Sequence, residues 1–314
     1  MQTLAFSQTY HLLAEIFRGD PADELRDYLR ELPGFAEALT AEPEPNHYAI
    51  FGFNVFPYQS AFLSEDGQLG GAETERVQLL YAECGFPYNL TESPDHISVM
   101  LDCFVFLIGA EMDAEEDRQI RMLARLRGLQ RRALDQHLLR WVPAFCAAVR
   151  EQGSPFYAAA AELLLELVLA HYAQLSTVID LKTPGFRLPP HPDPLSREKT
   201  GLKDIATYLC TPASSGWFLS RGDIGALGRQ YRLPRGFGSR TQLLTNLFRA
   251  AVTYDHFPEV IDALVTLANQ WQRHYESLAV TIPAHVSPWQ GALSSTQAML
   301  SRVREAADAL DDES

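Results

Sequence analysis

Asp95 and His96 stand side by side in the run Glu92-Ser93-Pro94-Asp95-His96-Ile97. A carboxylate next to an imidazole can pass a proton in general acid–base catalysis. Such work also requires a nucleophile motif, a metal-ligand set or a glycine-rich phosphate loop, and none lies near this pair. Two non-catalytic readings stay open. In one, Pro94 begins a helix, Asp95 complements its dipole and His96 makes a polar cap contact. In the other, the pair sits on a ligand-facing hinge loop held by a rigid scaffold. A second concentration of chemistry lies far along the chain. Arg221, Arg229, Arg232, Arg235, Arg240 and Arg249 are accompanied by one acid, Asp223. Two short capped helices around the loop Arg232–Ser239 could form a helix-turn-helix, the DNA-binding alternative for this chain. That loop is longer than the usual turn of about 3–4 residues.

The elements that must position these groups read as helices. Asp20-Pro21 is a cap followed by Pro at the first helical position, with Leu25, Tyr28, Leu29 and Leu32 as an apolar stripe that Pro33-Gly34 ends. Thr74 caps a helix whose stripe is Val77, Leu80, Tyr81 and Cys84, and Gly85 follows as its left-handed terminator. Ser93-Pro94 starts a helix that is apolar almost all round from Ile97 to Ile108, as a central bundle helix must be. Further helices are expected from about 113 to 145, interrupted near Gly128, and from 155 to about 175. Asp113–Asp117 reads as an acidic first turn, and His137 and Trp141 as packing residues on one helix face. Residues 181–194 carry five prolines and a glycine and read as a linker. Helices over 202–210, 221–231 capped by Ser220, 240–254 capped by Ser239, 258–278 and 296–310 follow.

Composition narrows the function. The chain has 314 residues and a net charge of −14, with 27 acidic against 12 basic residues over 1–180 and 13 against 14 over 181–314. An acidic body of this kind opposes general nucleic-acid binding, which phosphate contacts dominate, and favours a basic ligand. No apolar run approaches the ~20 residues of a membrane span, because Glu162 and Glu166 break the best one. The start lacks the basic region of a secretory signal. Cys84, Cys103, Cys146 and Cys210 are widely spaced, as neither a disulfide framework nor a zinc site would have them, which suits a reducing cytoplasm.

Four segments occur in a particular order: Pro57-Tyr58-Gln59-Ser60-Ala61-Phe62, then Tyr81-Ala-Glu-Cys-Gly85-Phe86, then Glu92-Ser-Pro94-Asp95-His96-Ile97 running into Val99–Phe104, and finally His137-Leu-Leu-Arg-Trp141. Across roughly residues 5–175 this resembles the TorD/DmsD/NarJ family of redox-enzyme maturation chaperones. Phe62, Met100 and Cys103 stand where the family pattern often has Tyr, Glu and Phe, which leaves the client open. The resemblance implies a TorD-like helical bundle over 1–180, and the residues themselves extend the all-α reading through a Pro-rich linker over 181–200, a smaller helical module over 201–280 and a helical, acidic tail over 281–314. It implies a cytoplasmic chaperone, not an enzyme, and the residues hold no ligand set that calls for a cofactor. Its partner would be the precursor of a molybdopterin-dependent oxidoreductase subunit, bound through its twin-arginine leader or a terminal segment. A leader is basic then apolar, so carboxylates beside aromatic surface suit it. The candidate peptide-binding residues are Pro57, Tyr58, Ser60, Tyr81, Glu92, Pro94, Asp95, His96 and Asp102, with Glu83 beside them. Arg232, Arg235 and Arg240 are candidates for docking the client or the phosphate of its pterin. A homodimer by segment exchange is open to a bundle with a long hinge.

Overall fold

The computed structural model describes residues 2–178, 185–190, 192–234 and 236–312. The chain divides into two compact units, Met1–Ser64 with Gln68–Phe186, and Glu65–Gly67 with Arg187–Ser314. The all-α expectation is borne out: among the described residues there is no strand, only one isolated antiparallel bridge, between Tyr58 and His96.

The first unit contains α1 (Gln2–Arg18), α2 (Asp23–Leu29), α3 (Pro33–Ala41), a π-helical turn (Tyr48–Gly52), α4 (Gln59–Leu63), α5 (Ala72–Cys84), α6 (Ile97–Glu116), α7 (Ile120–Ala133), a second π-helical turn (Leu134–Leu138), α8 (Leu139–Arg150) and α9 (Pro155–Val178). Helix α6 packs between α1 and α7, so Ile97, Val99, Met100, Leu101, Phe104, Leu107 and Ile108 are all buried. Each such side chain contributes roughly 1.5–3 kcal/mol of transfer free energy. Phe17, Phe51, Phe62, Trp141, Phe145 and Tyr157 form an aromatic core with ring centroids 5.1–6.1 Å apart. The π turn adds a residue to one turn and rotates the face of the helix beyond it. Around the second π turn, Arg131 before it, His137 within it, and Arg140 and Trp141 after it are all buried. Helix α9 is long and apolar enough over Pro155–Thr177 to cross a membrane by length and composition, so Glu162 and Glu166 do not break it as expected. In this fold it packs against α1, α3 and α8.

The second unit contains a 3-10 turn (Pro194–Ser196), α10 (Leu202–Cys210), α11 (Pro212–Ser215), α12 (Arg221–Gln230), α13 (Arg240–Thr253), α14 (Phe257–Ala279) and α15 (Pro283–Asp312). Ser220 and Ser239 form capping boxes with Asp223 and Gln242. The core is Trp217, Phe248, Trp271, Tyr275 and Trp289. Of the linker, 181–184 and His191 lie outside the described residues, and 185–190 have no regular structure.

Several helix starts differ from the sequence reading. Helix α2 begins at Asp23 rather than Pro21, because the Asp20 carboxylate accepts the backbone N–H of His47 (2.7 Å) instead of capping. Tyr28 of its stripe is exposed, and Pro33 opens α3 rather than only ending what precedes it. Helix α5 starts at Ala72 with Gly71 before it, so Thr74 is no cap, while Gly85 is left-handed as expected (φ 71°). The long helix expected from 113 breaks at Asp117–Gln119, not at Gly128. Arg118 turns left-handed (φ 56°) there, and Asp113–Glu116 form the last turn of α6 instead of a first turn. Helix α15 begins at Pro283, well before Thr296.

Candidate functional site

The turn ahead of α6 is clipped to the segment ahead of α4. Ile97 N–H donates to the Pro57 carbonyl (2.8 Å) and Gln59 N–H to the Asp95 carbonyl (2.9 Å). The Asp95 carboxylate completes the clip, accepting Ser60 N–H through Oδ2 (2.9 Å) and the Ser93 hydroxyl through Oδ1 (2.8 Å). Asp95 is fully buried. It therefore does not complement a helix dipole from the first turn, and it is closed off from solvent. Tyr81 anchors the same turn from α5, its hydroxyl donating to the Pro94 carbonyl (2.7 Å). Pro94 and Asp95 precede the helix, and His96 is its N-cap: Nδ1 accepts Ser98 N–H (3.2 Å) and lies 2.7 Å from Ser98 Oγ.

Of the nine candidate residues the structure thus buries Pro57, Ser60, Tyr81, Pro94 and Asp95, which hold the turn. Tyr58, Glu92, His96 and Asp102 are half-buried and reach solvent. Tyr58 and His96 meet edge to face, centroids 4.9 Å apart. Burial, aided by the positive charge of Arg18, pushes the His96 imidazole down to about 4, so the ring is neutral at pH 7. Beside the turn, Tyr81 also touches Phe86 (5.0 Å) and Tyr88 (5.1 Å), and Phe86 touches the exposed Phe106 (5.6 Å).

The carboxylates are internally matched. Arg18, the last residue of α1, pairs with Glu15, with Asp102 and, at 3.4 Å, with Glu92. Burial raises the Asp102 carboxyl, and Arg18 opposes that shift. Glu83 pairs with Arg132. Beneath the clip, the buried Glu73 carboxylate accepts from Gln59 (2.8 Å), Arg76 (2.6 Å) and Arg140 (3.2 Å). Sequence reasoning missed Arg18, Ser98 and Gln59 and read Ser93 only as a helix start; Ser93 and Ser98 each lie two residues from their partners, whereas Arg18 is 84 residues from Asp102.

Among the described residues no group of three His, Cys, Asp or Glu side chains is gathered as a metal ion needs. In the second unit, Arg240 does not present itself for docking. Its guanidinium lies over the Phe218 ring (4.2 Å) and donates to the Leu219 carbonyl (3.0 Å). Arg221 donates to the Gly238 carbonyl. Arg232 is exposed in a left-handed conformation (φ 55°), and Arg235 lies outside the described residues. Residues 231–239 separate α12 from α13, too many for a helix-turn-helix turn.

Residues 19–147 match the family described as nitrate reductase delta subunit. Proteins named Chaperone protein TorD are similar over part of the chain. That of Vibrio vulnificus strain YJ016 is 31% identical over 115 residues, 35% of this chain and 52% of the relative. That of Vibrio cholerae El Tor Inaba N16961 is 29% identical over 118 residues, 37% of this chain and 52% of the relative. The chain thus spans about half the length of the curated relatives it matches. No solved structure matches it.

Proposed function

From the premise that residues 19–147 of this chain belong to the TorD/NarJ family, we propose that the protein is a maturation chaperone, a binding protein and not an enzyme. It acts in the cytoplasm on the precursor of a molybdenum-cofactor oxidoreductase, holding its twin-arginine leader or a terminal segment until the cofactor is inserted. The observation that carries the reading is the rim of the clipped turn. Tyr58 and a neutral His96 lie together, with Glu92 and Asp102 beside them on Arg18. In this reading the leader's apolar stretch takes the aromatic surface from Tyr58 toward Phe86 and Phe106. One leader guanidinium replaces Arg18 on Glu92 and Asp102, so binding is an exchange of arginines rather than the filling of an empty anionic site. Such an exchange changes little net Coulomb energy and leaves affinity to apolar burial, at roughly 25 cal/mol per Å² before ordering costs.

Calorimetry with a synthetic peptide of paired arginines followed by an apolar stretch tests this. Tyr58→Ala should weaken binding by about tenfold, the ~1.4 kcal/mol expected for part of an aromatic contact. His96→Ser should weaken it likewise while keeping a capping side chain. Arg18→Ala should tighten it and steepen its salt dependence, because Glu92 and Asp102 are then left for the peptide. Unchanged affinity in all three variants would remove the peptide from this turn.

A further inference from the structure

We propose that Tyr48 and Phe53 form a second anchor for the client peptide, an aromatic seat for a lysine or arginine side chain that precedes its arginine pair. The inference rests on the clipped turn being the client site, and it extends that reading. Tyr48 opens the first π-helical turn and Phe53 follows it. Both are exposed, and their rings meet edge to face with centroids 4.8 Å apart. The turn beneath them is held firmly. Asn46 Oδ1 accepts Ala49 N–H and Asn54 Nδ2 donates to the Ala49 carbonyl, each at 2.9 Å. His47 ties the turn to the end of α1, its Nε2 donating to the Phe17 carbonyl (2.9 Å) and its backbone N–H to the Asp20 carboxylate. Gly52 completes the seat: a Cβ there would lie 2.5 Å from Tyr48 Cδ2, so the Tyr48 ring rests against bare backbone. Rings fixed in this way lose little side-chain freedom when a ligand meets them.

Charge selects the occupant. Residues 31–75, which include this turn, hold eight acidic side chains and no lysine or arginine. An anionic segment is repelled there, and an uncharged one gains nothing from the carboxylates. The negative faces of the two rings attract an ammonium or guanidinium group directly. The end of α1 then sets where along the peptide this cation lies. Its Phe17 carbonyl holds His47, and the next residue, Arg18, pairs with Glu92 and Asp102. The aromatic surface assigned to the peptide's apolar stretch, Phe86 and Phe106, belongs instead to the side of α5 and α6. With the arginine pair on Glu92 and Asp102 and the apolar stretch toward Phe86, the residues before the pair run toward Tyr48. Phe53 and Tyr58 are five residues apart, a span of at most about 18 Å. An extended peptide covers that with about five or six residues, so the seated cation lies that far ahead of the pair.

Calorimetry on the full-length protein with synthetic peptides tests this. All share the arginine pair and the apolar stretch. The first begins at the pair, the second adds an uncharged extension of about six residues with a lysine at its far end, and the third carries norleucine in place of that lysine. The lysine peptide should bind about two- to fivefold more tightly than the other two, the range for an exposed cation–π contact. Trimethyl-lysine should keep the gain, because a ring face, unlike a carboxylate, asks for no N–H from the cation. Tyr48→Ala and Phe53→Ala should each abolish the gain and leave the unextended peptide's affinity unchanged. Gly52→Ala keeps both rings but displaces that of Tyr48, and should lose the gain as well. Equal affinity of the three peptides for the unaltered protein overturns the inference, and so does a gain that survives Tyr48→Ala and Phe53→Ala together. Tyr58→Ala keeps the two readings apart. Three equal peptides that all weaken in Tyr58→Ala refute the seat alone; if Tyr58→Ala weakens none of them, or if no peptide binds, the clipped turn falls as client site and the seat with it.

Discussion

Asp95 sits in the most distinctive stretch of the sequence and yet points away from solvent, accepting Ser60 N–H and the Ser93 hydroxyl at 2.9 and 2.8 Å. Replacing it with Ala leaves a buried backbone N–H without its acceptor, so Asp95→Ala should lose about 1–3 kcal/mol of stability. Urea denaturation reads this directly, and an unmoved midpoint would show that the backbone bonds alone hold the clip. Its charge was legible in sequence and its direction was not. The deciding partner, Ser60, lies 35 residues upstream and no local rule couples them. The carboxylates Glu83, Glu92 and Asp102 pose the same difficulty, because the arginines that match them belong to other helices. His96 is the contrast: a capping position followed two residues on by Ser98 is a local arrangement, misplaced by three residues through the Ser93-Pro94 pair before it.

Helices declared themselves in sequence wherever a cap and a stripe agreed. Ser220 and Ser239 cap as their boxes require, and α10 spans the 202–210 expected from sequence. They were misplaced where one residue can serve two purposes: Pro33 both closes a stripe and opens α3, and Asp20 bonds to a distant amide. The break at Asp117–Gln119 carried no glycine or proline to mark it. Where glycine is required, the reason is contact as well as conformation. Gly216 is left-handed (φ 77°), and a Cβ there would lie 2.4 Å from Leu293 N and 2.7 Å from the Trp289 carbonyl of α15. Its own carbonyl accepts the Tyr275 hydroxyl at 2.8 Å. Gly216→Ala should destabilise the second unit by about 2–5 kcal/mol, combining left-handed strain with overpacking. Hydrogen exchange would show the loss over α14 and α15 with α1 and α6 unchanged; uniform loss in both units would contradict it.

Across the molecule, pH acts through histidines that are kept neutral. Burial pushes His137 to about 3, helped by Arg140 and Arg76, and His96 and His171 to about 4. Unfolded histidines titrate near 6.5. Between about pH 6.5 and 4 the unfolded chain therefore binds protons that the folded one refuses, so stability is complete above that window and falls as the solution is acidified through it. The two well-buried rings, His137 and His171, should each contribute on the order of a few kcal/mol to the fall. Urea midpoints at pH 7.5 and 5 measure it, and equal midpoints would mean these rings protonate without opening the unit. His171 has a further consequence through its hydrogen bond to Tyr10 (3.0 Å), which joins the first helix to the ninth across 161 residues. A nascent chain emerging at about 5–20 residues per second must carry α1 for roughly 8–30 s before its partner exists. During that wait Phe6 and Tyr10 lack the His171 ring that later covers them, so on the ribosome the first unit is for a time an unfinished bundle with its own apolar helix waiting for cover.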